Sequence, residues 1–301
     1  LPAEPPEEDV MQQSASHDRP DIRSVSRVVR GMPATDGAGV ELTRVIGQPA
    51  MPMLDPFLLL DAFRSDRPDD YIAGFPPHPH RGFETVTYLL AGRMQHKDNA
   101  GHEGVIEPGG IQWMTAGRGI VHSEMPQQQA GLLEGFQLWV NLPAKHKMDA
   151  PAYQEHAVGA IPVETRDSGI RVKVIAGVTQ NGTRGPVVQP LTEPLYLDVE
   201  LPPGQVFTER LPVGHNAFCY AIDGQVLADD ADGNAVTLQR DDLAVLSHGT
   251  LVTLRSGGLG ARCLLIAGRP LNEPVARGGP FVMNTKAEVR QAYDDYAAGL
   301  F

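Results

Sequence analysis

His78 and His80 stand two residues apart in the run Pro-Pro-His78-Pro-His80-Arg-Gly-Phe-Glu84. His122 and Glu124 stand two apart in Gly119-Ile-Val-His122-Ser-Glu124. Side chains alternate between the two faces of a strand, so each pair would point one way. Two such pairs on neighbouring strands of a closed sheet would aim four metal-ligating groups at one point. Three imidazoles and a carboxylate suit a borderline divalent metal and leave coordination positions open, as a catalytic site requires. His96 and His102 flank a tight turn and read as hairpin and surface residues rather than ligands.

These residues also carry a resemblance. His78-x-His80-x-x-x-Glu84, Pro108-Gly-Gly110 and Gly119-x-x-His122 resemble the paired motifs of the cupin barrel. The longer strings His78-Pro-His-Arg-Gly-Phe-Glu-Thr-Val-Thr-Tyr-Leu89 and Gln112-Trp-Met-Thr-Ala-Gly-Arg-Gly-Ile-Val-His-Ser-Glu-Met-Pro126 are similar to those of the pirin family, and the similarity runs from about Ile22 to the last residue. It implies an all-β fold of two stacked cupin (jelly-roll) barrels with a C-terminal helix. It also implies that the ligands are His78, His80, His122 and Glu124. Glu84, a ligand in many cupins, becomes the group that orients a ligating histidine.

Pirin-like proteins are known for flavonol (quercetin) 2,3-dioxygenase activity, so the resemblance implies a flavonol and O₂ as substrates. Four ligands leave two octahedral positions for them, which suits Fe(II) better than a closed structural zinc; Mn, Cu, Ni and Zn are the other metals considered. Glu124 is then the catalytic base as well as a ligand. Pirins also act as metal- or redox-sensing partners of transcription factors or metabolic enzymes, and this is the alternative function. A metal-assisted isomerase or a storage-like cupin is a third class that the fold alone allows.

The elements that must position these residues are strands. Thirty-two glycines and 26 prolines exclude a helical bundle and suit many short strands joined by turns. In Glu134–Pro143, Phe136, Leu138, Val140 and Leu142 share one face, with Gln137, Trp139 and Asn141 on the other. One face is core, and the other can line a cavity, where Trp139 would hold a planar ligand. Phe83 is the second such candidate. Strict alternation puts Phe83, Thr85 and Thr87 on one parity and Glu84, Val86 and Tyr88 on the parity of His80. Val25–Arg30 and Val40–Ile46 read as a strand and its return across Thr35-Asp-Gly-Ala-Gly39.

Residues 1–20, rich in Pro, Glu, Gln and Ser, read as a flexible leader. Residues 21–148 then form the metal-binding barrel, 149–160 a linker, and 161–280 a barrel whose metal motif is reduced to His215 and His248. Residues 281–301 hold a helix opened by the capping box Thr285-x-x-Glu288, with an apolar stripe of Val289, Ala292, Tyr293 and Tyr296. By the family resemblance this helix returns to the first barrel. A net charge of −12 argues against direct nucleic-acid binding and suits protein partners better. No apolar run reaches membrane-spanning length. Cys219 and Cys263 lie in apolar runs without metal spacing, so they read as buried reduced thiols, which fits a cytoplasmic protein.

Overall fold

Among the described residues, short runs of alternating apolar residues cut by glycine turns build most of the fold, and a single α-helix follows near the end. The computed structural model describes residues 21–301; the leader expected at 1–20 lies outside the described residues.

The first barrel sets a seven-stranded sheet against a four-stranded one. The larger sheet has Phe83–Ala91 and Leu133–Asn141 near its centre and Met32–Asp36 and Ala152–His156 at its edges. In the smaller sheet Phe75–His80 and Met94–Asp98 both pair with Ile120–Pro126. Ala152–His156 pairs with Ile111–Thr115, so part of the expected linker 149–160 is a strand of the first barrel. A further correction concerns Val25–Arg30. It pairs with Asp242–Leu246 of the second half, while Val40–Ile46 takes Met32–Asp36 as its partner. Alternation identifies a strand but not its neighbour, which tertiary packing selects.

The second barrel is a nine-stranded sheet wrapped on itself. Its long strands Asn216–Asp229 and Leu251–Gly268 bend at register shifts between Ala221 and Asp223 and between Gly224 and Val226. Bulges of this kind let one strand serve both walls. Cys219 and Cys263 are fully buried and unpaired inside it.

The two large sheets pack face to face. Val86, Tyr88, Trp113, Phe136 and Leu138 from the first meet Ile175, Tyr196, Phe218, Tyr220 and Ile266 from the second in one apolar cluster. Burying each such side chain stabilises the pair of barrels by roughly 1.5–3 kcal/mol. The larger sheet of the first barrel is therefore covered on both faces. This leaves its other face, carrying Phe83, Thr87, Gln137 and Trp139, to line the inside.

Lys286–Ala297 is the helix, capped by Thr285 and Glu288 through the expected reciprocal bonds. Val289 and Ala292 are buried, while Tyr293 and Tyr296 stay partly exposed. Ahead of it, Ala276–Gly278 and Phe281–Met283 form a small hairpin, so residues 281–283 belong to a strand. Asp295 forms an ion pair with Arg81 at 2.7 Å, next to the metal-site histidines in sequence. None of the described helices is long and apolar enough to cross a membrane.

Candidate metal centre

The strand Phe75–His80 carries three prolines, which hold it extended while removing donors from its backbone. It pairs with Ile120–Pro126 so that His78 lies opposite His122. The imidazoles of His78, His80 and His122 converge, with one ligand atom from each inside a common span of 4.8 Å. His78 is partly exposed and the other two are buried, so the site opens on the His78 side.

The nitrogens themselves test the fit to a metal. His78 Nδ1 donates to the Pro76 carbonyl at 2.8 Å, which fixes the tautomer and turns the Nε2 lone pair inward. His78 Nε2 and His80 Nε2 are 3.0 Å apart. Two ligands at right angles on a metal with bonds of about 2.1 Å are separated by about 3 Å, so the spacing suits adjacent coordination positions. Neither nitrogen of buried His122 has a hydrogen-bond partner among the described residues, and such orphans are rare without a ligand. Burial, and then the neighbouring histidines, push the His80 pKa well down. Burial brings that of His122 to about 4. Both are then neutral at pH 7, as metal ligation requires.

Glu124 lies outside this tight group of nitrogens. Its Oε1 accepts from the Thr87 hydroxyl at 2.8 Å and its Oε2 from the Gln137 amide at 2.7 Å. Gln137 in turn accepts from the Trp139 indole at 3.2 Å, so one polar chain fixes carboxylate, amide and ring. Phe83 and Trp139 both stand against His80, with ring centroids 5.1 and 5.2 Å away, and 4.3 Å from each other. The sequence pattern allowed only one of them to face the site.

Glu84 departs from expectation. It hydrogen-bonds no histidine among the described residues; Oε1 accepts from Thr115 at 2.7 Å and from Gln189 of the second half at 2.6 Å. The cause is local. Arg81 and Gly82 interrupt the pleat, and Gly82 has φ +87° where an added Cβ would lie 2.0 Å from the Val282 carbonyl. Parity does not carry across that break, so Glu84 turns to the inter-barrel face while Phe83 and Thr87 turn to the site.

Burial raises the Glu84 pKa to about 7 from 4.5. A raised carboxyl pKa gives stability that is present below pH 4.5 and lost as pH rises towards 7; the full cost of the anion is about 3 kcal/mol at most. Glu84→Gln is expected to match wild type near pH 4.5. At pH 8 it should exceed it by about 1–3 kcal/mol in urea unfolding, with metal content unchanged. A stability difference independent of pH would contradict this assignment.

Sequence reasoning placed Thr87 on the wrong face and did not single out Lys147 or Arg277. His96, expected at the surface, is buried and bonded to Glu155 at 2.9 Å; His102 is exposed beside Asp98. In the second barrel His215 lies 3.7 Å from Glu193, and His248 meets the Val213 carbonyl. The larger described cleft, about 820 Å³ and lined by residues such as Glu41, Arg64, Tyr220 and Arg240, includes none of the histidines. Chemistry here follows the histidines and not the volume.

Comparison with known proteins agrees with the site's motifs. Residues 39–140 match the Pirin family and 196–301 the Pirin C-terminal cupin domain. The chain belongs to the pirin family. A pirin-like protein of Caulobacter vibrioides is 53% identical over 283 residues, covering 93% of this chain and 99% of that one. Human pirin is 43% identical, with 91% and 92% covered. A crystal structure titled quercetin 2,3-dioxygenase, from Acinetobacter baumannii, superposes with a TM-score of 0.84 at 33% identity and covers 93% and 98% of the two chains. The two barrels are thus cupin barrels, and the three-histidine site suits a divalent metal.

Proposed function

We propose that this pirin is a metal-dependent dioxygenase that opens flavonols such as quercetin, with Fe(II) as the metal and Glu124 as its fourth ligand. The observation that carries the reading is the convergence of three imidazoles, two of them buried, beside a carboxylate held by Thr87 and Gln137. The Acinetobacter structure supports the choice of substrate.

A bound divalent metal supplies Lewis acidity and, as iron, a route for electrons to O₂. The residues do the rest. The planar substrate enters from the exposed His78 side and lies against Phe83 and Trp139. Glu124 accepts the proton of the 3-hydroxyl, since a base must lie within hydrogen-bond reach of its target. Thr87 and Gln137 each donate to one carboxylate oxygen and fix its direction. The buried side of the site, closed by Trp139, Phe83, Leu58, Leu59 and Val282, excludes water from the reacting ring. Addition of O₂ then opens the heterocycle with loss of carbon monoxide.

The test is to load metal-free protein with Fe(II), Mn(II) or Cu(II) in turn and add quercetin in air. Loss of quercetin with carbon monoxide release, abolished in His80→Ala, is the expected result. Absence of turnover with every metal would remove the enzyme reading and leave a metal-binding regulatory protein.

A further inference from the structure

The hairpin of Ala276–Gly278 and Phe281–Met283 forms one wall of the candidate metal centre. Val282 packs with Leu58, Leu59, Phe83 and Trp139, and its carbonyl accepts from buried Lys147 at 3.0 Å. The hairpin is therefore fixed, and with it the root of Arg277. The Arg277 guanidinium lies over the Trp139 ring, 4.8 Å from its centroid. The same ring is 5.2 Å from His80, so a single indole separates the cation from a metal ligand.

No carboxylate among the described residues is bonded to this cation. The neighbouring carboxylates Asp36 and Asp61 are both bonded to Arg44. Among the described residues Arg277 has no ion-pair partner, and its one polar contact is a 3.4 Å approach to the Leu58 carbonyl. It is also solvent-exposed. An exposed arginine with a carboxylate would be an ordinary surface pair. One stacked on a site tryptophan, with no carboxylate among the described residues bonded to it, is arranged to meet an anion arriving from outside.

We propose that Arg277 is a specificity residue that selects planar aromatic substrates bearing an anionic oxygen on the ring remote from the metal. The guanidinium's planar fork matches a catecholate or carboxylate through two parallel N–H bonds. The identity of the substrate as a flavonol rests on the function proposed above; the preference for the anionic oxygen does not.

The experiment uses zinc-loaded protein, so that binding is read without turnover, with zinc measured in every variant. Calorimetry compares quercetin with a flavonol lacking the hydroxyls of the remote ring, at a pH where the catechol is partly ionised. Wild type is expected to bind quercetin roughly tenfold more tightly than the analogue. Arg277→Gln should bind the two about equally, with zinc content and analogue affinity unchanged, and Arg277→Lys should fall between. If neither flavonol binds wild type, the flavonol reading fails on its own. Naphthoate against naphthamide then decides the role of Arg277. A carboxylate preference in wild type that disappears in Arg277→Gln supports it. No preference in wild type, or a preference that survives the substitution, overturns it.

Discussion

Purified His122→Ala is expected to contain less than about a tenth of the metal of wild type, which should hold one per chain. His122 is buried, and both its nitrogens lack any other partner among the described residues. Removing it deletes a ligand that no neighbour can replace, because Gln137 and Thr87 are engaged by Glu124. His80→Ala should act in the same way. Glu124→Ala is expected to lose most of the metal too, while Gln137→Ala, which removes only a bond to the carboxylate, should weaken affinity roughly 10–100-fold. Elemental analysis of protein purified side by side checks the order. Full retention in a His78/His122 double variant would place the ligands elsewhere.

Lys147→Ala is expected to be the most damaging change outside the ligands. Lys147 is 1% exposed, and its ammonium donates to Gly82 O and Asn141 Oδ1 at 2.6 Å and to Val282 O at 3.0 Å. It ties the turn after the histidine strand, a central strand and the C-terminal hairpin to one point. Burial lowers its pKa to about 8, so it stays mostly charged at pH 7 and relies on those three acceptors. Truncation leaves two carbonyls and an amide oxygen without their donor and opens a cavity along the lost stem. A loss of about 3–5 kcal/mol follows, as for other broken buried charge sites. Hydrogen exchange should show it first in Phe281–Met283 and the helix, which lose their tether to Gly82. Unchanged exchange there, with an unchanged unfolding midpoint, would contradict the role.

Much of this was readable along the chain, because it depends on local spacing. His78, His80 and His122 could be paired from strand alternation, and Thr285 with Glu288 from the rule for a capping box. The two faces of Leu133–Asn141 also came out as read, with Phe136 and Leu138 in the inter-barrel core and Gln137 and Trp139 inside. Reading failed where the period was interrupted or the partner was distant. Alternation counted through Arg81-Gly82 misassigned Glu84 and Thr87, because a left-handed glycine resets the pleat. Val25–Arg30 reads as a strand in any setting, and only its pairing with Asp242–Leu246 reveals that it crosses to the second barrel. Lys147 and Arg277 owe their roles to contacts with residues far along the chain, which no local pattern records.

The central claim is that a single metal sits in the first barrel on His78, His80, His122 and Glu124. Anomalous diffraction at the absorption edge of the loaded metal tests it most directly. The expected result is one peak per chain, bonded to the three imidazoles and to a Glu124 oxygen, and none beside His215 or His248. A peak lying away from the three histidines, or a second peak of equal height in the other barrel, would contradict it.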